Sequence, residues 1–439
     1  MRRRRVVTVA SIRVALLGCG TVGGAVAAAL CDPATSAGLA DAIGAPIELV
    51  GIAVADATKA RAGIPDSLIV SDADALVAGG GADVVVELIG NGVDALALVT
   101  AALDAGASVV TANKALLATH LSALTARAAQ RGVDLYYEAA VAGAIPIVRV
   151  LRTSLAGQRL TRVLGIVNGT TNFVLTTMEH ERRDYQEVLD EAIARGFAET
   201  DPTSDVEGHD AAQKAAILAS LGFGRAVLDA DVAREGISKV TAADLEAASR
   251  MGYVVRLLAV AERVGPESIS VRVHPAMVPK DHPLAAVDGA SNAVFVEGDA
   301  SGPVMLQGAG AGGAATASAV LGDLVTAGRN RVAGTAERAP SLDGTCRLVE
   351  PGETTSAFYL ALEVLDQPGV LAAVATVFGS HGVSIESMEQ IGRAAAARLV
   401  FLTHPASESQ MAATVRQLRE LEAVTAIGAL LRVVDGPGR

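Results

Sequence analysis

Six charged groups suited to chemistry crowd into one short segment, Gly196–Lys214 (G-F-A-E-T-D-P-T-S-D-V-E-G-H-D-A-A-Q-K): Glu199, Asp201, Asp205, Glu207, Asp210 and Lys214. A carboxylate and an amine held on one surface beside a loop can bind a small molecule and exchange a proton with it. Two helices must position these groups. Tyr185–Arg195 has apolar residues at helical spacing and stops at Gly196. Gly208–Leu221 reads as a second helix, which places Asp210 and Lys214 as neighbours one turn apart. Between them Pro202 disfavours a helical residue before it, and an extended acidic loop is expected. On these residues alone, a solvated loop with an ordinary surface ion pair explains the segment as well as a small-molecule site does.

Composition narrows the class. The chain has 439 residues, 51% hydrophobic and 19% charged, with no Trp. That is a core-building composition of about two to four domains, far from disorder. A net charge of -12 argues against nucleic acid and anionic membranes as main partners. Cys19, Cys31 and Cys346 are too few and too scattered for a disulfide framework or a zinc site, which fits a reducing cytoplasm. Arg2–Arg5 and the apolar run after them imitate a signal peptide, but Arg13 interrupts the run and a glycine loop ends it. No stretch reaches the roughly 18 uninterrupted apolar residues of a membrane helix.

The glycine loop is Gly18-Cys19-Gly20-Thr21-Val22-Gly23, after the β-branched Ile12–Leu17 and before the small-residue helix Gly24–Leu30. Strand, G-x-G-x-x-G, helix is the order that seats a pyrophosphate on a helix N-terminus. A second strand, Glu48–Val54, ends near Asp56, Lys59 and Arg61. Asp56 suits a ribose 2′-hydroxyl and Lys59 or Arg61 a 2′-phosphate, so NAD and NADP both stay open. The spacing exceeds the usual ~20 residues, which implies an insertion around Asp32–Pro46. Asp83–Ile89 and Ser108–Ala112 read as buried strands alternating with helices Val93–Ala105 and Leu121–Arg131. That is the pattern of a doubly wound parallel sheet. Gly90-Asn91-Gly92 and Thr111-Ala112-Asn113-Lys114 follow strand ends, where such sheets carry their ligands. Lys114 is therefore expected to be aimed from a strand end at the cofactor crevice.

Beyond the strand Leu135–Ala140 the pattern changes. Thr161–Val167, the loop Asn168–Asn172, a helix from Phe173 to about His180, a helix Thr241–Arg263, and strands Ser268–Val273 and Ala293–Gly298 suggest a mixed α+β domain. Gly308–Gly313 and the small-residue helix Ala314–Ala327 suit a return to the nucleotide domain or a plain linker. Phe358–Val364, Val370–His381, Ser384–Glu389, Arg398–Thr403, Gln410–Leu421 and Ala426–Val433 follow the β-α-β-β-α-β order of a ferredoxin-like domain. The expected division is 1–146 for dinucleotide binding and 147–307 for substrate and dimerisation. The return segment is then 308–335, the connector 336–355 and the last domain 356–439.

The chain resembles homoserine dehydrogenase along its whole length. The motifs are G-C-G-T-V-G, T-A-N-K, E-A-A-V-A-G-A-I-P, V-N-G-T-T-N and Q-G-A-G-A-G-G, with the ungapped signature from Ala192 to Lys214. D-Q-P-G-V-L and G-V-S-I-E-S-M resemble an ACT domain, the amino-acid-sensing module of longer members. The resemblance implies interconversion of L-aspartate 4-semialdehyde and L-homoserine with NAD(P)H. It implies Lys214 as proton donor, Asp210 on the substrate, Glu199 beside substrate and nicotinamide, and Gly196 close to cofactor. Lys114 is similar to the family's second functional lysine, on cofactor and substrate. Asp205 and Thr170 fall among the substrate-facing positions, and Gly310 and Gly312 near the cofactor. Glu138, with the carbonyls of Val141, Gly143 and Ile145, matches the family's monovalent cation site, usually sodium. Phe197 departs from relatives that carry Tyr there, so a hydroxyl contact is lost.

Two other readings are weaker. An acyl-enzyme aldehyde dehydrogenase needs a nucleophilic cysteine, and none of the three lies in the substrate region. A non-catalytic nucleotide and amino-acid sensor has no need of a proton donor. A lysine ammonium, charged at neutral pH, suits reduction; oxidation needs it neutral and is expected to quicken as pH rises. The tail is expected to bind threonine or a related effector through Asp366–Gly369 and the helix after it, or to serve dimerisation alone. The resemblance also implies a homodimer or homotetramer.

Overall fold

The computed structural model describes residues 11–90, 94–338, 340–393 and 396–435. The basic leader Arg2–Arg5, and Asn91 and Gly92 of the predicted strand-end loop, lie outside them. The chain divides into two units, Met1–Gly157 with Ile217–Asp229 and Gly308–Gly344, and Gln158–Ala216 with Ala230–Gln307 and Thr345–Arg439.

The first unit is built on a six-stranded sheet: β1 (Ile12–Leu17), β2 (Ile47–Ala53), β3 (Ile69–Val70), β4 (Val84–Glu87), β5 (Ser108–Thr111) and β6 (Leu135–Tyr136). Its order is β3-β2-β1-β4-β5-β6 with every pairing parallel. This is the doubly wound arrangement, whose switch point lies between β1 and β4. Continuous apolar strands suit it, since both faces are covered: Val14, Leu16, Ile52, Val84 and Val86 are buried. The long spacing before Asp56 is explained by an extra helix, Pro33–Ile43, which Asp32 caps through the Thr35 amide. Helix Gly313–Ala333 adds Ala317, Val320 and Leu324 to the same core as Val14, Leu16 and Val26.

The second unit carries β7 (Leu160–Ile166), β8 (Ala233–Arg234), β9 (Tyr253–Gly265), β10 (Ser268–Pro279), β11 (Ser291–Gly298) and β12 (Gly302–Ala309). It continues through β13 (Arg347–Leu348), β14 (Thr355–Leu365), β15 (Ile385–Arg393), β16 (Ala396–Thr403), β17 (Ala406–Ser407) and β18 (Val424–Val433). One path runs β12-β11-β7-β9-β10-β18-β14-β16-β15. The tail keeps the ferredoxin-like order β18-β14-β16-β15 and its own core of Phe358, Leu360, Val374, Phe378, Phe401 and Met411. It is joined to the rest of this unit where β18 pairs parallel with β10, Arg432 opposite Ala276 and Val433 opposite Met277. Arg432 is mostly buried and pairs with Glu408 at 2.8 and 2.9 Å and with Glu235.

Several expectations are corrected. Thr241–Arg263 is not one helix: helix Ala242–Arg250 stops at Met251-Gly252, and β9 begins at Tyr253. Tyr253-Val254-Val255 is a β-branched and aromatic start that packs better in a sheet than against a helical turn. Helix Gly169–Glu181 begins earlier than Phe173 because Asn168 caps it, accepting from the Thr171 amide at 2.8 Å. The extended acidic loop contains a one-turn helix, Thr203–Val206, that buries Val206; Pro202 precedes it, where a proline costs no hydrogen bond. The helix expected from Leu121 begins at Lys114, three residues beyond the end of β5, where Asn113 caps it. Residues Glu138–Ala140, expected to be strand, form a single 3-10 turn.

Candidate active site

In the first unit a cavity of about 970 Å³ opens at the carboxyl ends of β1, β2 and β4. Gly18, Cys19 and Gly20 line it, with Ala53 to Asp56, Arg61, Leu88 to Gly90 and Asp94. The glycines are dictated by sterics. Gly18 has φ +94°, and a Cβ on it would lie 2.4 Å from the Leu88 carbonyl oxygen; one on Gly23 would lie 2.2 Å from the Gly18 oxygen. Nothing lies within 4 Å of a Cβ on Gly20, so the backbone there is open to a ligand. Thr21, Val22 and Gly23 form the first turn of helix Thr21–Cys31, behind the lining. The shape and glycine pattern fit a dinucleotide.

The second-strand residues separate in this cavity. Asp56 accepts from the Thr58 hydroxyl at 2.6 Å and amide at 2.9 Å, bonds that hold its carboxyl below the usual range. Arg61 lines the cavity with its guanidinium on the carbonyls of Lys59 (2.7 Å) and Asp56 (3.1 Å). Lys59 is not among the lining residues. Neither are Lys114, Gly310 or Gly312. Gly313 nonetheless sits against the loop, since a Cβ there would come within 3.1 Å of Thr21. Half-buried Lys114 follows a buried relay that ends at the Asn113 amide. Glu87 accepts from the Thr111 hydroxyl at 2.5 Å, and that hydroxyl accepts from the Asn113 amide at 3.0 Å. Burial pushes the Glu87 carboxyl up, with the bonds from Thr111 and the Ile89 amide opposing it.

The expected cation ligands are tied into the main chain. Both oxygens of the Glu138 carboxylate are occupied, by the amides of Val148 (2.7 Å) and Arg149 (2.9 Å). Burial and then Asp323 raise this carboxyl to about 7. The loop Val141–Ile145 turns through two left-handed residues, Ala142 (φ 57°) and Gly143 (φ 59°), against the backbone of Ala309 and Gly310. The Ile145 carbonyl accepts from the Ile147 amide. Among the described residues no three His, Cys, Asp or Glu side chains gather as a metal site. Each Glu138 oxygen keeps a lone pair beyond the amide that it accepts from, as the Ile145 carbonyl does, so the carboxylate and the loop carbonyls can both serve a cation.

In the second unit the acidic segment gathers around one lysine. Lys214 and Asp210 are 9% and 5% exposed, which removes the surface-pair reading. Lys214 Nζ donates to Asp210 Oδ2 at 2.7 Å and to the Val167 carbonyl at 2.6 Å. The neighbouring Asn168, to which the sequence reading gave no role, donates through Nδ2 to Asp205 Oδ1 (2.7 Å) and Asp210 Oδ2 (2.9 Å). Burial raises the Asp205 carboxyl; the Asn168 bond opposes this and Asp210 adds to it. Thr170, buried, donates to the Phe197 carbonyl at 2.7 Å. Phe197 is 43% exposed and its ring packs on Phe173 at 4.8 Å. Gly196 closes the preceding helix at φ +74°, and Glu199 is exposed. Asp201 caps toward the Thr203 amide and is exposed, outside the buried group. A buried, doubly held ammonium among ionisable acids can protonate an oxyanion.

Residues 146–325 match the family model for homoserine dehydrogenase, 18–138 that for the homoserine dehydrogenase NAD binding domain, and 358–423 that for the ACT domain. Homoserine dehydrogenase of Corynebacterium glutamicum is 48% identical over 427 residues, covering 96% of both chains. The chain belongs to the homoserine dehydrogenase family. It is thus an oxidoreductase with a nicotinamide cofactor and a C-terminal ACT domain. A homoserine dehydrogenase structure from Thiobacillus denitrificans superposes with TM-score 0.91 at 37% identity, over 97% of this chain and 98% of that one. A hyperthermophilic archaeal homoserine dehydrogenase in complex with NADPH matches 72% of this chain and 97% of its own, with TM-score 0.61 and 28% identity. Among the described residues no helix is long and apolar enough to cross a membrane.

Proposed function

We propose that the chain reversibly reduces L-aspartate 4-semialdehyde to L-homoserine, in threonine, methionine and isoleucine biosynthesis, with Lys214 as the proton donor. The buried Lys214 ammonium, held by Asp210 and the Val167 carbonyl, is the observation that carries this reading. When bound, the reduced nicotinamide supplies the hydride. As the carbonyl electron pair moves to oxygen, Lys214 gives that oxygen a proton and is left neutral. In the reverse direction neutral Lys214 takes the hydroxyl proton. Asp210 keeps the amine aimed, while Asp205, Glu199 and Thr170 face the substrate's amino-acid end. Lys114 supports substrate and cofactor; a cation at a helix N-terminus opposes the macrodipole, and a ligand's negative charge offsets that.

Gly18, Gly20, Thr21, Val22 and Gly23 hold the pyrophosphate, Asp56 and Arg61 face the ribose, and Gly196, Gly310 and Gly312 are assigned to cofactor binding. Asp56 suits NAD and Arg61 suits NADP. A monovalent cation, sodium by family, is assigned to Glu138 and the carbonyls of Val141, Gly143 and Ile145. The ACT domain is assigned an amino-acid effector, threonine, that lowers activity. We assign the chain to the cytoplasm as a homodimer or homotetramer, with the division 1–146, 147–307, 308–335, 336–355 and 356–439.

The deciding experiment follows nicotinamide absorbance after addition of homoserine, with NADP and with NAD, in the presence and absence of threonine. No homoserine-dependent change with either cofactor would refute the reaction. An unchanged rate at saturating threonine would refute the effector.

A further inference from the structure

We propose that Asn168 is a positioning residue for this reaction, its one carboxamide setting Asp210 on Lys214 and Asp205 toward the substrate. The inference rests on the reaction assigned above. Asn168 is 5% exposed and follows β7 at the start of helix Gly169–Glu181. A carboxamide has two N–H protons and one oxygen with two lone pairs, and here all four are used. The oxygen accepts from the Thr171 amide at 2.8 Å and the Thr171 hydroxyl at 3.0 Å. The nitrogen donates to Asp205 at 2.7 Å and to Asp210 at 2.9 Å.

The cap fixes the carboxamide, and the fixed carboxamide fixes two acids contributed by the acidic segment and the helix after it. Lys214 meets the same Asp210 oxygen, and its second partner is the carbonyl of Val167, the residue just before Asn168. One dipeptide, Val167-Asn168, therefore orients the proton donor and both of its neighbouring carboxylates. A serine or aspartate would cap the helix equally well. Neither carries two N–H donors, so capping alone leaves the amide nitrogen unexplained.

Asn168→Asp separates the two roles. It keeps the cap but turns an acceptor toward Asp205 and Asp210, with Lys214 on the same Asp210 oxygen. Three carboxylates at this distance favour uptake of a proton, and the introduced carboxyl, once protonated, regains one donor. Full-length wild type, Asn168→Asp and Asn168→Ser are compared in homoserine oxidation across pH. NADPH affinity and melting temperature are measured alongside. Asn168→Asp is expected to lose about 100-fold in kcat/KM at pH near 8 with cofactor affinity near wild type and a melting temperature that is lowered at that pH and recovers at lower pH. Its activity relative to wild type should recover as pH falls toward about 6. Asn168→Ser should lose activity with no such recovery. Asn168→Asp within about threefold of wild type at every pH, or a ratio to wild type that does not change with pH, overturns the assignment. A wild type without homoserine-dependent turnover instead overturns the reaction itself.

Discussion

Lys214 Nζ lies 2.7 Å from Asp210 Oδ2, one helical turn earlier on the same helix, and both side chains are buried. The pair is thus more than a helix-surface contact, because a buried charge must be matched by geometry as well as sign.

Lys214→Ala should lower kcat by at least about 100-fold, the low end of what a positioned proton donor contributes. NADPH binding, followed by fluorescence, should stay within about threefold of wild type. Lys214→Arg should be equally inactive, since a guanidinium does not give up its proton. A Lys214→Ala enzyme above about a tenth of the wild-type rate would remove the lysine from proton transfer.

Asp210→Ala leaves a buried ammonium with a carbonyl as its remaining named partner, at an expected cost of about 3–5 kcal/mol. Lys214→Met should cost less, because Asp210 retains its bond from Asn168. Chemical denaturation of the two variants checks the order; equal midpoints would mean that solvent reaches the pair.

Gly18→Ala puts a Cβ 2.4 Å from the Leu88 oxygen in a left-handed conformation. It should abolish measurable dinucleotide binding and lower the melting temperature. Gly20→Ala meets no atom within 4 Å, so it should weaken binding while leaving the melting temperature nearly unchanged. The reverse ranking of melting temperatures would contradict the steric account.

Arg61→Ala should weaken NADPH about tenfold or more, the loss of one charge-assisted contact, and leave NADH nearly unaffected. Isothermal titration with both cofactors tests this. An equal loss for both would show that Arg61 shapes the Asp56–Arg61 loop instead of reading a 2′-phosphate.

Glu87 makes stability depend on pH. Its folded pKa is raised by burial, so the folded state binds the extra proton. Its contribution is present below the ordinary carboxylate range and is lost as pH rises through the raised value. Relative to Glu87→Gln, wild type should therefore lose stability as pH rises above the ordinary carboxylate range, read as a difference in denaturation midpoint. A constant difference would mean that Glu87 does not titrate in that window.

The first unit was largely legible because parallel strands are continuous apolar runs and glycine loops follow sterics. The second unit was harder. Thr241–Arg263 contains apolar residues at both helical and strand spacing, and only the Met251-Gly252 break and sheet partners decide between them. The Asp210–Lys214 pair follows from helical spacing, but its burial does not, since Val167 and Asn168 arrive from β7 far away in sequence. Asn168 carries a visible sign, a capping residue before Gly-Thr-Thr; its second use, on two acids, needs the folded chain. Glu138 was read as a strand residue and, from the resemblance, a cation ligand, whereas its place in a 3-10 turn and its capture by the Val148 and Arg149 amides depend on a local geometry that no spacing reveals.

The pairing of β18 with β10 bears on how the tail can be studied. Ending the chain near Glu350 would strip β14 to β18 away, uncover the backbone of β10 at Ala276 and Met277, and remove Arg432 from Glu235. Such an edge invites association between copies. A shortened enzyme that ignored threonine would then report damage to the catalytic half as readily as loss of a sensor. Within this unit the tail is sewn in as shared fabric, and single substitutions in its ligand loop are the cleaner way to ask what it senses.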